Sequence, residues 1–233
     1  MKMRILFVNH SVPHCFHGGG GVTSYSLVLA LLQADIDVHL LCLERSGLNG
    51  NSKEDVHINH LKNDLHVKVF FADRKLRPKG RKRLPLFKDH FPYLNYHTEV
   101  SKVFSEVRAD VIIGYHWEAL SSLFMIGDIP ILGLVGDPIH LPDLFRTAFK
   151  KKYGTKVSWS KFLRRRLLGG MNLTVQKSGM VRLLNKCSVS GAFAAHHARE
   201  FTEMGVSNCR YFHTPTPNPV SLRKVRNEKF KIL

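Results

Sequence analysis

Residues 3–43, MRILFVNHSVPHCFHGGGGVTSYSLVLALLQADIDVHLLCL, decide the fold that we predict for this chain. They hold an apolar run at 5–8, four glycines, an amphipathic segment and a second apolar run at 38–43. A continuous apolar run is typical of a strand that helices cover on both faces. Leu27 and Leu31 share one stripe of the segment between the runs, which predicts a helix packed on the sheet. The stretch therefore predicts strand, loop, helix and parallel strand, joined by a right-handed crossover.

The four glycines stand where the first helix is predicted to begin: Gly18, Gly19, Gly20 and Gly21. Glycine lets a ligand approach the backbone N–H groups, and the positive end of the helix dipole attracts an anion. We expect a phosphate-sized site here, with Thr23 and Ser24 capping the helix. A tight turn with no ligand remains the alternative interpretation of the glycines.

A dinucleotide-binding fingerprint would place its first glycine directly after the first strand and a third glycine inside the helix start. Here residues 9–17 intervene, and Thr23 or Ser24 stands at the third position. Glu44 follows the second strand and could imitate the acid that binds ribose. A dinucleotide site therefore stays open as a rival interpretation.

Length and composition favour one α/β domain. The chain has 233 residues, 44% of them hydrophobic, which is enough for one full core but small for two. It has no apolar run of about 18 residues, and its start is too short and too strand-like for a signal peptide. The sequence therefore predicts a cytoplasmic protein.

Cysteine and histidine spacing argues against a metal centre. Cys15, Cys42, Cys187 and Cys209 form no C-x-x-C pair, which predicts reduced, mostly buried thiols rather than a zinc ribbon or a disulfide framework. Three histidines are spaced like possible ligands, but no carboxylate or cysteine pairing accompanies them: His10, His14 and His17. We expect no metal and no cofactor.

The charge is strongly positive, with 35 Lys and Arg against 18 Asp and Glu, a net charge of +17. Much of it lies in residues 74–83, 150–152 and 161–166. The first patch, which includes Arg81, Lys82 and Arg83, lacks interleaved aromatic residues, so nucleic acid is an unlikely partner. The third patch alternates with apolar residues, as in a helix lying on an anionic bilayer, although a plain surface helix fits equally. Its cations are Lys161, Arg164, Arg165 and Arg166.

The rest of the chain continues the alternation of strands and helices. Further strands are predicted at 65–72, 110–115, 130–135, 187–190 and 209–213. Helices are predicted at 93–107, 117–126, 141–152, 158–168, 171–185 and 193–204, and residues 44–63 are predicted to be a polar loop. The predicted fold is an open, mostly parallel, Rossmann-like sheet with helices on both faces.

Ligands of open parallel sheets bind beyond the carboxyl ends of the strands. His116 directly follows the predicted fourth strand, and Asp137 follows the fifth. Both are therefore expected at the edge of the sheet that carries the glycines.

This order of motifs resembles the N-terminal, acceptor-side domain of GT-B glycosyltransferases, specifically the retaining family 4. The resemblance rests on MRILFVNH, the glycines, DVIIGYH ending in His116, PILGLVGD, and CSVSGAFAAHHAREFTEMGVSNCRYFHTPTPNP. It implies a domain at 1–214, an interdomain linker at 215–228, and the start of a truncated C-terminal donor-binding domain at 229–233.

The resemblance implies transfer of a sugar from a nucleotide-sugar donor to a glycan or lipid-linked acceptor, as in polysaccharide synthesis at the inner face of the cell membrane. Gly18 to Gly21 would approach the donor phosphate or sugar, and His116 would be the catalytic residue. Weaker candidates for contact with the sugar or acceptor are Asp137, Trp117 and His17. The basic patches would contact membrane or other anions.

The family's paired glutamates and basic donor-phosphate residues lie in a C-terminal domain that the sequence does not include. We therefore expect the chain to be inactive alone. Two other functions stay open: a stand-alone nucleotide- or anion-binding module, and a basic nucleic-acid-binding protein.

Overall fold

The computed structural model describes residues 2–15, 19–44, 52–73, 91–142, 145, 149 and 159–213. Several predictions lie outside the described residues: His17, Gly18, the patch with Arg81, Lys82 and Arg83, the linker at 215–228 and the segment at 229–233.

Strands and helices alternate along the described chain. The strands are β1 (Arg4–Asn9), β2 (Asp37–Cys42), β3 (Lys68–Phe71), β4 (Val111–Tyr115), β5 (Ile131–Val135), β6 (Val189–Ala192) and β7 (Cys209–Tyr211). The helices are α1 (Gly19–Gln33), α2 (Ser52–Asn59), α3 (His97–Val107), α4 (His116–Leu123), α5 (Trp159–Lys186) and α6 (Ala195–Glu203). A π-helical turn, His60–Asp64, extends α2, and a 3₁₀ helix, Pro92–Tyr96, precedes α3.

The seven described strands form one parallel sheet in the order β3-β2-β1-β4-β5-β6-β7. The chain builds outward from β1 in one direction through β2 and β3, then returns to its other side with β4. The strand order therefore reverses between β1 and β4, where open α/β sheets form a ligand crevice. The predicted fold class is confirmed.

Both faces of the sheet are buried, as the continuous apolar runs predict. In β1, Leu6 and Val8 belong to one hydrophobic cluster, which includes residues of α3, α4 and α5. Ile5 and Phe7 belong to a second cluster with Val28 of α1. Alternate residues of a strand point to opposite faces, so one apolar run supplies two cores.

Three of the predicted elements are wrong, one loop and two helices. The loop predicted at 44–63 contains α2 and the start of the π-helical turn, because Ile58 and Leu61 lie three residues apart and bury one face of this polar segment. The helices predicted at 158–168 and 171–185 are one helix, α5. The glycine pair between them costs roughly 1 kcal/mol per residue relative to alanine but keeps its backbone hydrogen-bonding groups.

Two further observations concern the cysteines and the lengths of the helices. The four cysteines are thiols rather than disulfides, with Cys42 and Cys187 buried, Cys209 half-buried and Cys15 exposed. Within the described ranges, no helix combines the length and the apolar character needed to cross a bilayer.

Candidate active site at the strand ends

The imidazole of His116 lies between two glycines at the carboxyl edge of the sheet. A Cβ atom added to Gly20 would stand 3.1 Å from His116 Nε2, and one added to Gly136 would stand 3.5 Å from Cε1. The ring centroid of Tyr115 is 4.1 Å from that of His116. The start of α1, the end of β4 and the loop after β5 therefore meet around one histidine.

The backbone of His116 is held in the left-handed region, with φ at 70°. This conformation is uncommon for a non-glycine residue and costs about 1–3 kcal/mol unless its surroundings enforce it. The residue joins strand β4 directly to helix α4, so the sharp change of direction falls on it. The turn aims the imidazole at α1 instead of along α4.

The first turn of α1 consists of Gly19, Gly20 and Gly21, and no acidic residue lies in it. Its N–H groups have no partner within the helix, and the helix dipole leaves positive potential there. The predicted caps are wrong: Thr23 Oγ1 donates to Gly19 O at 2.8 Å, and Ser24 Oγ donates to Gly21 O at 2.9 Å. Both hydroxyls lie inside the helix and bond to the preceding turn, because α1 begins at the second glycine of the run.

Burial lowers the pKa of His116, and the nearby His10 lowers it further, while Glu118 and Asp137 oppose the shift. Loss of solvation disfavours the imidazolium, so His116 is neutral at neutral pH. A neutral imidazole can donate one hydrogen bond and accept another. It can therefore hydrogen-bond a ligand hydroxyl next to the positive end of α1 without adding a charge there.

The free energy of unfolding is expected to fall as pH drops below about 6.5, the ordinary pKa of histidine. The pKa of His116 is lower in the folded protein than its ordinary value of 6.5, so the unfolded chain binds the proton more readily. The stabilisation that comes from a neutral His116 is complete above pH 6.5 and is lost as pH falls toward the pKa of His116 in the folded protein. Urea unfolding at several pH values should show a shallower acid loss in His116→Asn. An identical pH slope in both proteins contradicts this prediction.

Asp137 and Trp117 both lie at this edge, but the Asp137 side chain is exposed and the Trp117 side chain is buried. The Asp137 side chain is 82% exposed, and its Oδ1 lies 3.5 Å from His197 Nδ1. Trp117 is buried, donates from Nε1 to the Asp137 carbonyl at 3.0 Å, and packs edge-on against Phe201. In this state Trp117 holds the loop after β5, and the Asp137 carboxylate faces solvent.

The sequence did not predict a second group of polar residues at this edge: it drew attention to Glu44 and His10 separately and gave no signal for Tyr93. Tyr93 donates to Glu44 Oε1 at 2.7 Å, and its hydroxyl oxygen lies 2.9 Å from His10 Nε2. Since the Tyr93 proton goes to the carboxylate, Nε2 of His10 must carry the proton it donates to Tyr93. Burial first, and then Glu44, raise the pKa of Tyr93 and keep the phenol protonated. Glu44 and Tyr93 are 49 residues apart, so only the fold brings them together.

Two further predictions concern charge and metal. Lys161, Arg164, Arg165 and Arg166 fall within α5, and their side chains lie outside the described part of the structure. Among described residues, no group of three or more His, Cys, Asp or Glu side chains is placed to hold a metal ion.

The sheet order is that of one half of a GT-B glycosyltransferase fold. Sucrose-phosphate synthase from Thermosynechococcus elongatus is 13% identical, has a TM-score of 0.56, and matches 97% of this chain and 53% of its own. LpCGTa in complex with UDP is 13% identical, has a TM-score of 0.53, and matches 95% of this chain and 55% of its own. The glycotransferase of kitacinnamycin is 12% identical, has a TM-score of 0.53, and matches 100% of this chain and 55% of its own.

At identities this low, the structural matches show a shared fold alone. The chain spans about half the length of these solved proteins, 53–55%. No protein-family model matches the chain, and no curated protein sequence matches it.

Proposed function

We propose that this chain is the acceptor-side half of a glycosyltransferase that moves a sugar from a nucleotide-sugar donor to a glycan or lipid-linked acceptor. The observation that carries the proposal is the close approach of Gly20 to His116 where the strand order of a GT-B-type sheet reverses. A Cβ atom added to Gly20 would lie only 3.1 Å from His116 Nε2. A similar structure that was solved with UDP supports a nucleotide-sugar as donor.

The chemistry of transfer fits this arrangement. A departing nucleoside diphosphate gains negative charge, which the N–H groups and dipole of α1 stabilise without any motion of charged side chains. The reacting sugar gains positive charge, and a neutral His116 can hold one of its hydroxyls by a hydrogen bond. We propose that configuration at the reacting carbon is retained, following the resemblance to family 4.

The proposal requires a second lobe that supplies the donor-nucleotide contacts. It is supported by the 53% share of sucrose-phosphate synthase that this chain matches. We place the linker at 215–228 and the first residues of that lobe at 229–233.

The test compares the 233-residue chain with the extended protein, meaning this chain together with the proposed second lobe, using labelled UDP-sugars and glycan acceptors. We expect transfer only by the extended protein. Turnover by the 233-residue chain alone contradicts the requirement for a second lobe. Tight UDP binding by the short chain, with no transfer after extension, favours a stand-alone nucleotide-binding module.

We also infer a peripheral position on an anionic membrane. Four large apolar side chains are 55–70% exposed: Phe145, Phe149, Leu167 and Met171. The first two are four residues apart, as are the last two, and both pairs flank basic sequence in a chain of net charge +17. Apolar anchors beside cations are typical of segments that bind the surface of an anionic bilayer.

In a flotation assay, we expect the chain to float with phosphatidylglycerol vesicles and not with neutral phosphatidylcholine vesicles. High salt should release it from the phosphatidylglycerol vesicles. The double variant Phe145→Ser/Phe149→Ser should bind at least roughly tenfold more weakly, since burial of one such side chain contributes about 1.5–3 kcal/mol. Met125→Ser is the control, because Met125 is 64% exposed and lies outside the basic segments. Equal recovery with both lipids contradicts a membrane-bound position.

A further inference from the structure

A pocket of about 410 Å³ opens beside α1, and His116 is not among the described residues that line it. Its walls come from the β1–α1 loop, Tyr25 of α1, α2 and the π-helical turn. A Cβ on Gly20 would face His116, whereas one on Gly21 would stand 2.6 Å from the ring of His14, which lines the pocket. The volume falls in the range of small-molecule sites, about 300–1,000 Å³.

A hydrogen-bonded chain of three side chains forms one wall. Asp64 Oδ2 lies 2.7 Å from His60 Nδ1, and His60 Nε2 lies 2.8 Å from the Tyr25 hydroxyl. A carboxylate can only accept, so Nδ1 of His60 carries a proton. When Nε2 carries no proton, it accepts a hydrogen bond and the Tyr25 hydroxyl donates to it. Its oxygen retains lone pairs that can accept a hydrogen bond from a ligand in the pocket.

Burial raises the pKa of Tyr25, which keeps the phenol protonated at neutral pH. A protonated phenol is a poor nucleophile. A Tyr25 hydroxyl that donates to His60 can still accept a hydrogen bond from a ligand. A ligand group that donates, such as an alcohol, is preferred at this position.

The other walls combine rings with amides. His14 and His57 stack with centroids 5.4 Å apart and planes 29° apart, and Val56 adds an apolar surface. Asn59 and Asn63 each bring a donor and an acceptor to the rim. Such a surface suits a ligand with apolar C–H faces and several hydroxyls. Asp64 is the carboxylate among the described lining residues, and it disfavours an anionic ligand.

We propose that this pocket binds a neutral saccharide unit, with one hydroxyl donating to Tyr25 and an apolar ring face against His14 and His57. The inference rests on the proposed function, because it takes the saccharide to be a non-reacting part of the acceptor. The described residues that line the pocket do not include His116, so we place the bound unit apart from the reacting sugar. Binding energy from a remote unit can orient the reacting hydroxyl.

The test uses saturation-transfer NMR on the 233-residue chain with methyl glucoside, methyl galactoside, methyl N-acetylglucosaminide and glucuronate. We expect at least one neutral glycoside to bind and glucuronate not to bind. Tyr25→Phe should weaken binding roughly tenfold, the effect of one hydrogen bond. Tyr211→Phe is the matched control, since Tyr211 is 49% exposed on β7.

A second variant keeps the test informative if Tyr25→Phe does not fold. Val56 is 59% exposed and lines the pocket, so Val56→Trp should fill it without disturbing the core. Met125→Trp, on an exposed residue outside the pocket lining, should bind the glycoside normally. Absence of binding by all three neutral glycosides overturns the inference, as does binding that neither Tyr25→Phe nor Val56→Trp weakens.

Failure of this inference can be told apart from failure of the proposed function. Sugar transfer by the extended protein, together with no Tyr25-dependent glycoside binding, leaves the transferase proposal standing and removes the pocket. Tyr25-dependent binding without any transfer by the extended protein supports the pocket as a carbohydrate site and contradicts the transferase.

Discussion

If the proposed function holds, replacing His116 with asparagine is expected to lower kcat for sugar transfer by about 10²–10³-fold in the proposed two-lobed protein, the usual cost of removing one preorganised polar contact to a transition state. Asparagine is chosen because it tolerates a positive φ, and the φ of His116 is 70°. Its shorter side chain no longer reaches the space beside Gly20 that the imidazole fills. The measurement is steady-state transfer from UDP-sugar to a glycan acceptor, with the melting temperature followed in parallel.

The matched control for this variant is His66→Asn. His66 also has a positive φ, 55°, but precedes β3 and therefore lies at the amino edge of the sheet. A general effect of asparagine in a left-handed position would appear in both variants. Only His116→Asn should lose activity, and normal turnover by this variant excludes a catalytic role for His116.

The fold around His116 could be predicted from sequence where the signal was local. The unbroken apolar run at 5–8 predicts a central strand, and the rule that ligands bind at strand ends places His116 at the same edge as the glycines. The contact between Gly20 and the imidazole agrees with that placement. A parallel sheet leaves little choice, because every strand in it must end at one edge.

The polar networks could not be predicted, because each joins residues that the sequence separates. Tyr25 and His60 are 35 residues apart, and their pairing depends on a helix within a stretch that reads as polar loop. The apolar stripe that folds this stretch contains few residues, so its periodicity is weak. Tertiary packing of Leu61 against the sheet core supplies the stability that local propensity does not.

The three described glycines at the start of α1 are expected to respond differently to alanine, although their sequence context is nearly the same. A Cβ on Gly19 would meet nothing within 4 Å, so Gly19→Ala should stabilise the protein by up to about 1 kcal/mol through helix propensity. A Cβ on Gly21 would lie 2.6 Å from the ring of His14. Overpacking of this kind costs about 1–3 kcal/mol, so Gly21→Ala should be clearly less stable than Gly19→Ala.

Gly20→Ala separates stability from function in the same series. Its Cβ would lie 3.1 Å from His116 Nε2, so the ring must move by a few tenths of an ångström. We expect a melting temperature between those of the other two variants and the largest loss of sugar transfer of the three, because a small displacement misaligns the reacting groups. Urea unfolding and transfer assays on all three proteins make the comparison. Equal stability of Gly19→Ala and Gly21→Ala would show that His14 moves aside at no cost, and unchanged transfer by Gly20→Ala would separate the glycines from the chemistry at His116.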